Sequence, residues 1–120
     1  MSKLADSTCE ACRIDAPMVA DDDALILLKE IEDWHIIDNG FKQLKKTFSF
    51  SCYEHSVSFS NKVAEMAELE DHHPTITLEW GKVTVVWWSH KIKGLHKNDF
   101  ICAAKTCLLY TSPSPRDVEE

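Results

Sequence analysis

The chain has 120 residues, of which 44% are hydrophobic and 28% are charged, and this composition is typical of a single globular domain. The formal net charge of −7 argues against binding to nucleic acid, which requires clustered Lys and Arg side chains. No run of about eighteen apolar residues predicts a membrane span, and no apolar core of a secretory signal follows the first residues. We therefore expect a cytoplasmic protein that binds neither nucleic acid nor a membrane.

The five cysteines are an odd number in a chain without a signal sequence, which favours reduced thiols over disulfides. Cys9 and Cys12 form a single CxxC pair. One such pair without a second is weak evidence for a metal or redox site. We interpret these two cysteines as structural or incidental thiols.

Three segments differ in composition. Residues 1–20 form a polar lead that we predict to be flexible, and residues 21–106 carry the hydrophobic patterns of a domain. From Cys107 the sequence CLLYTSPSPRD resembles the translation of a transposon-type sequencing-library adapter, and Pro113 and Pro115 exclude a helix there. We predict that residues 107–120 are a non-native tail that cuts the last helix short after about Thr106. A natural disordered tail is the alternative.

The first part of the domain predicts a helix followed by a β-hairpin. Asp21, Asp22 and Asp23 favour a helix N-terminus, and apolar residues at helical spacing extend this helix to about Glu32. The segments 34–38 and 41–50 then predict two strands. Asn39-Gly40 between them supplies the positive φ values of a tight two-residue turn.

The second part repeats this order. An apolar stripe predicts a long helix from Tyr53 to about Glu70, which ends before Pro74. Residues 76–80 and 83–88 predict a second hairpin, and apolar residues from Phe100 predict a final short helix. The order α-ββ-α-ββ-α predicts an α+β fold, in which a four-stranded antiparallel sheet carries the helices on one face.

Four of the six histidines, His72, His73, His90 and His96, lie within a short stretch of the chain, and the first three of them lie where predicted elements end. Residues at such ends meet in clefts, and a histidine side chain can donate and accept protons near neutral pH. The cluster predicts acid-base chemistry. Surface histidines near a turn are the simpler alternative.

A zinc site is a competing use of histidines. His72 and His73 are adjacent, so their side chains point apart, and the usual ligand spacing of three or four residues is absent. We therefore predict no metal site. Asp99, at the start of the last helix, either complements the helix dipole or orients a histidine, and these two roles are compatible.

The positions Glu68, His72-His73-Pro74, Trp80, His90 and Asp99 match the signature of the pterin-4a-carbinolamine dehydratase family. The resemblance extends over about residues 9–106, and the segment WGKVTVVWWSHKIKGLHKNDF is similar to bacterial members associated with phenylalanine hydroxylase.

The resemblance implies the α+β fold described above and a hydro-lyase reaction without metal or organic cofactor. A 4a-hydroxytetrahydropterin substrate would lose water to give a quinonoid dihydropterin, which supports tetrahydrobiopterin recycling. His72 and His90 would serve as acid and base, and His73 would mainly bind the substrate. The further predicted binding residues are Glu68, Asp99 and Trp34. We expect the three histidines to line one cleft with Asp99 near its rim.

The resemblance also implies a homodimer or homotetramer and a functional link to phenylalanine hydroxylase. Two other classes stay open at this stage. Animal relatives also serve as dimerisation partners of a transcription factor, which makes a binding module the first alternative. A zinc protein that uses His72, His73 and the CxxC pair is the second.

Overall fold

The computed structural model describes residues 18–31, 33–90 and 92–111. The CxxC pair, most of the predicted lead and the tail from residue 112 lie outside these described residues. The elements in chain order are α1 (Asp21–Leu28), β1 (His35–Asp38), β2 (Lys42–Ser49), α2 (Tyr53–Glu70), β3 (Thr75–Glu79), β4 (Lys82–Trp87) and α3 (Lys97–Thr111). This is the predicted order α-ββ-α-ββ-α.

The strands form one antiparallel sheet in the order β1-β2-β4-β3. Alternate side chains of the two central strands enter the core, since Phe48, Val83 and Trp87 are almost fully buried. Residues between them face the other side, where the hydroxyl oxygens of Thr47 and Thr84 lie 3.2 Å apart. One face of the sheet therefore packs against the helices, and the predicted α+β class is confirmed.

The loop between β1 and β2 differs from the predicted two-residue turn. Asp38 pairs with Lys42, so Asn39, Gly40 and Phe41 form a three-residue loop. Gly40 alone of these has a left-handed backbone, with φ +96°, and its N–H donates to Asp38 Oδ1 at 3.0 Å. The strand register allows one more residue in the loop than the sequence pattern indicates.

The first helix ends at Leu28, four residues earlier than the predicted end at Glu32. Tighter i to i+3 hydrogen bonds continue the turn, including one of 3.2 Å from Ile31 N to Leu28 O. Ile31 still reaches the core and is 3% exposed. The apolar spacing therefore indicated the burial of Ile31 correctly, but not the burial of Leu25, which is 57% exposed, and not the length of the α-helix.

Helix α2 has the predicted bounds, and its C-terminus is closed by two backbone hydrogen bonds. The N–H of Asp71 donates to Glu68 O at 3.2 Å, and the N–H of His72 donates to Ala67 O at 3.1 Å. Asp71 adopts a left-handed backbone with φ 52°, as in the Schellman motif. This closure fixes the direction in which the chain leaves the helix.

Helix α3 runs to Thr111, five residues beyond the predicted end at Thr106. Leu, Leu and Tyr continue a helix readily, and the ring of Tyr110 packs 5.0 Å from that of Phe48. The foreign origin of residues 107–120 stays a prediction.

The left-handed residue Asp71 makes a first prediction. Glycine favours this conformation and a β-branched residue opposes it, so Asp71→Gly should keep or raise the free energy of unfolding by up to about 1 kcal/mol. Asp71→Val should lower it by about 1–2 kcal/mol. Urea unfolding measures both, with Asp71→Asn as the control because asparagine tolerates the same backbone. Equal stability of the Gly and Val variants would contradict the assigned strain.

Candidate active site

Three chain segments meet at one end of the central strands. β3 and β4 are antiparallel, with Thr75 opposite Val86, so the start of β3 lies beside the end of β4. The residues between α2 and β3 therefore lie close to those that follow β4. Helix α3 begins at the same place, because Ser89 forms an isolated antiparallel bridge with Gly94.

The carboxylate of Asp99 joins these three segments. Oδ1 lies 2.6 Å from His72 Nε2, and Oδ2 accepts hydrogen bonds from Ser89 Oγ at 2.9 Å and from the His96 backbone N–H at 2.8 Å. Asp99 itself is 0% exposed. A fully buried carboxylate needs such donors, because it has lost its hydration.

His96 and Asp99 also close the N-terminus of α3. The Asn98 N–H donates to His96 Nδ1 at 3.0 Å, while Asp99 accepts from the His96 N–H. This arrangement resembles a capping box, except that the His96 side chain accepts from the second residue of the helix rather than from the third. Asp99 therefore makes both kinds of contact considered for it, one at the helix N-terminus and one with a histidine.

The side chain of His72 is buried against strand β4. It is 4% exposed, and its ring stacks on Trp87 with centroids 5.5 Å apart and an interplanar angle of 13°. Trp87 in turn donates from Nε1 to Thr106 Oγ1 at 3.1 Å. His72 is thus held on both its face and its Nε2 atom.

His73, by contrast, is exposed and pairs with a carboxylate on the last turns of α2. Its Nε2 lies 2.7 Å from Glu68 Oε1, and the two side chains are 57% and 78% exposed. The Schellman closure after α2 directs consecutive residues to different sides. Adjacent His72 and His73 therefore point apart, as the sequence predicted.

His90 is exposed and lies next to His73. Its Nε2 is 3.1 Å from the backbone carbonyl oxygen of His73, and its ring stacks on Trp88 at 4.2 Å. A carbonyl only accepts, so Nε2 of His90 carries the proton of this hydrogen bond. Phe41 packs on Trp88 at 6.0 Å and extends the aromatic surface.

The expected convergence of the three histidines is correct for the backbone and only partly correct for the side chains. His73 and His90 share an accessible surface, whereas His72 stacks on Trp87, which faces the opposite side of the strand from Trp88. The expectation that Asp99 lies at a rim was wrong, because burial lets it bind three segments at once.

Two aromatic residues that the sequence singled out lie away from these histidines. Trp34 is 3% exposed and packs on Phe48 with ring centroids 6.0 Å apart, which places it in the core beside the far edge strand β1. Burial therefore argues against Trp34 as a substrate-binding residue. Trp80 lies in the turn at the opposite end of β3 and is 73% exposed.

Sequence reasoning missed Ser89, and a serine at the end of a strand gives no signal of its own. It counted His96 only as one of the clustered histidines. The three-residue spacing from His96 to Asp99 matches a capping box and could have revealed the connection.

Within the described parts of the chain, no three His, Cys, Asp or Glu side chains are placed to hold a metal ion together. No helix among the described residues is long and apolar enough to cross a membrane.

Fold and site together define a small α+β protein with two exposed, neighbouring imidazoles at one end of its central strands. A family model described as Pterin 4 alpha carbinolamine dehydratase matches residues 17–108. The chain belongs to this family, whose members are hydro-lyases that remove water from a pterin carbinolamine.

Curated relatives with the name pterin-4-alpha-carbinolamine dehydratase support this membership. A protein of Photobacterium profundum is 60% identical over 107 residues, which cover 88% of this chain and 96% of the relative. A protein of Saccharophagus degradans is 54% identical and one of Marinobacter nauticus is 52% identical, each over 92% of this chain. The match covers 98% and 100% of those two relatives.

Two solved structures share the fold. The transcriptional coactivator/pterin dehydratase from Brucella melitensis superposes with a TM-score of 0.73 at 21% identity, over 78% of this chain and 99% of that chain. A pterin dehydratase-like protein described as a RuBisCO assembly factor in the alpha-carboxysome gives a TM-score of 0.58 at 21% identity, over 68% and 93%. At this identity the likeness shows the fold alone.

The buried carboxylate makes a second prediction. The Asp99→Asn substitution keeps the side-chain volume but replaces one carboxylate oxygen with an amide NH2 group, which cannot accept a hydrogen bond. One of the three donors to residue 99 then loses its acceptor, so the free energy of unfolding should fall by about 2–4 kcal/mol. Urea unfolding at neutral pH measures this loss. The exposed Asp22→Asn serves as the control and should stay within about 0.5 kcal/mol of the parent. An Asp99→Asn protein as stable as the parent would show that the carboxylate charge does not hold the site.

Proposed function

We propose that this protein converts a 4a-hydroxytetrahydropterin to a quinonoid dihydropterin, and that His73 and His90 transfer the two protons. The observation that carries this proposal is the pair of exposed imidazoles whose residues meet at a hydrogen bond of 3.1 Å. His90 donates from Nε2 to the His73 carbonyl, and His73 donates from Nε2 to the Glu68 carboxylate. Nδ1 of each ring is then the nitrogen that exchanges a proton with the substrate.

The reaction needs one acid and one base. The bond between C4a and the hydroxyl oxygen breaks, and because hydroxide is a poor leaving group, an acid must protonate the oxygen so that water departs. A base removes the proton of the adjacent ring nitrogen, whose electron pair forms the new C=N double bond to C4a. Both proton transfers lie within the ordinary chemistry of imidazole.

The hydrogen-bond partners of the two imidazoles support different roles for them, one as the acid and the other as the base. The Glu68 carboxylate accepts a hydrogen bond from Nε2 of His73 and holds this ring in place, and we assign His73 as the acid. His90 makes its hydrogen bond to a neutral carbonyl and suits the base. The stacked Trp88 provides a flat apolar surface beside it for a planar pterin.

His72 has a different role in this proposal from the one that the resemblance implied. Its ring is buried between Trp87 and Asp99, where a substrate has no access without rearrangement. We therefore assign His72 and Asp99 to positioning, with Asp99 orienting the His72 ring. Glu68 stays a candidate for substrate contact because it is exposed next to His73.

Three variants test this assignment. His73→Ala and His90→Ala should each lower kcat by about 10²-fold, the usual loss when a general acid or base is removed. His72→Gln keeps an N–H near the position of Nε2 for Asp99, so kcat should stay within about tenfold of the parent. The assay follows the ultraviolet spectrum of chemically generated 4a-hydroxytetrahydropterin, with the uncatalysed rate subtracted.

The exposed His35 of β1 provides the matched control, and His35→Ala should leave kcat unchanged. A His72→Gln enzyme as inactive as His90→Ala would return His72 to proton transfer. If the His73 and His90 variants lost only affinity, the pair would bind the pterin and the chemistry would lie elsewhere. A parent protein that binds pterin without turnover would favour the binding-module alternative.

We further propose that the reaction supports aromatic amino acid hydroxylation by recycling the pterin. The similarity to bacterial members associated with phenylalanine hydroxylase supports this link. Adding the protein to a phenylalanine hydroxylase assay with limiting tetrahydropterin and a dihydropterin reductase should raise the steady-state rate several-fold. His90→Ala should give no increase. An increase of equal size with this variant would show that the higher hydroxylation rate does not come from dehydration of the pterin.

A further inference from the structure

Each of the two exposed histidines, His73 and His90, directly follows a buried residue that binds Asp99. His73 directly follows His72, and His90 directly follows Ser89. Both preceding residues are buried, at 4% and 1% exposure, and both bind the same carboxylate, that of Asp99. Each exposed histidine is thus one residue away from an anchor on Asp99.

Ser89 is held by its backbone as well as its hydroxyl. Its N–H donates to Gly94 O at 2.8 Å, and its carbonyl accepts from the Gly94 N–H at 3.4 Å. These two bonds connect Ser89 only to the loop before α3. The bond of 2.9 Å from Ser89 Oγ to Asp99 connects it to the carboxylate that also binds His72.

We propose that Ser89 is a positioning residue that sets the place of His90 relative to His73 through Asp99. The inference rests on the proposed function of the two exposed histidines. His90 bonds to the backbone of His73, and that backbone follows the His72 anchor. Without the serine hydroxyl, Asp99 would hold only the His73 side of the pair firmly.

The stacking of His90 on Trp88 does not replace this function. A stacked ring can slide over the indole surface while it keeps van der Waals contact, so Trp88 restrains the plane of the His90 ring. The position along that plane depends on the backbone at Ser89. Proton transfer is sensitive to displacements of about 1 Å, so loss of this anchor should affect turnover.

The test compares Ser89→Ala with Ser89→Thr, which restores a hydroxyl. Ser89→Ala should lower kcat by about tenfold with KM within about twofold, and Ser89→Thr should recover most of that loss. Ser56→Ala is the matched control, because Ser56 of α2 is also buried and its hydroxyl donates to the backbone carbonyl of Cys52, the residue before this helix. The control should leave kcat unchanged.

A double-mutant cycle separates positioning from general loss of structure. If Ser89 acts through His90, Ser89→Ala should change kcat by less than about twofold once His90 is alanine. The same change should still cost about tenfold when Glu54, an exposed residue at the start of α2, is alanine instead. Full additivity of Ser89→Ala and His90→Ala would overturn the proposal.

Amide hydrogen exchange gives a measurement that does not depend on activity. Ser89→Ala should speed exchange of the residue 89 and Gly94 amides by about tenfold or more, and Ser56→Ala should not. Unchanged exchange with unchanged kcat would reject the role of Ser89 while the proposed function stands. A parent protein without dehydratase activity but with faster exchange in Ser89→Ala would reject the proposed function and leave the anchor as a structural feature.

Discussion

The site depends on one buried carboxylate with three donors. A carboxylate removed from water is stable only when hydrogen-bond donors replace its hydration, and a buried polar group that loses a partner costs about 1–3 kcal/mol or more. All three bonds of Asp99 are therefore needed, and they come from the end of α2, the end of β4 and the residue before α3. The same three hydrogen bonds therefore stabilise the buried carboxylate and connect the three segments.

Local patterns predicted the parts of the fold that local chemistry determines. The bounds of α2 follow from its apolar stripe and from the proline after it, and the structure has the same bounds. The predicted length of the first loop and the predicted end of α1 were wrong. Strand register and the tight turn at Ile31 depend on packing against the rest of the domain. The prediction of the length of α3 was also wrong, because Tyr110 packs against a core aromatic residue that is distant in sequence.

The residue types of the site were predictable, but their division into buried and exposed was not. Sequence alone indicated that His72 and His73 point apart, without showing which of them enters the core. The stacking of His72 on Trp87 decides this, and such a contact between the end of α2 and β4 is a tertiary feature. Ser89 could not be found because a hydroxyl acquires a role only when the fold brings a carboxylate to it.

The placement of anchors next to exposed histidines follows from backbone geometry. Consecutive residues in extended chain face opposite sides, so an anchor at one position presents its neighbour to solvent. Ser89 and His90 obey this rule directly, and the left-handed Asp71 turns the chain so that His72 and His73 do the same. One carboxylate therefore fixes two exposed imidazoles without contacting either of their rings. In the proposed mechanism, this arrangement leaves His73 and His90 accessible to substrate while the carboxylate that positions them stays buried.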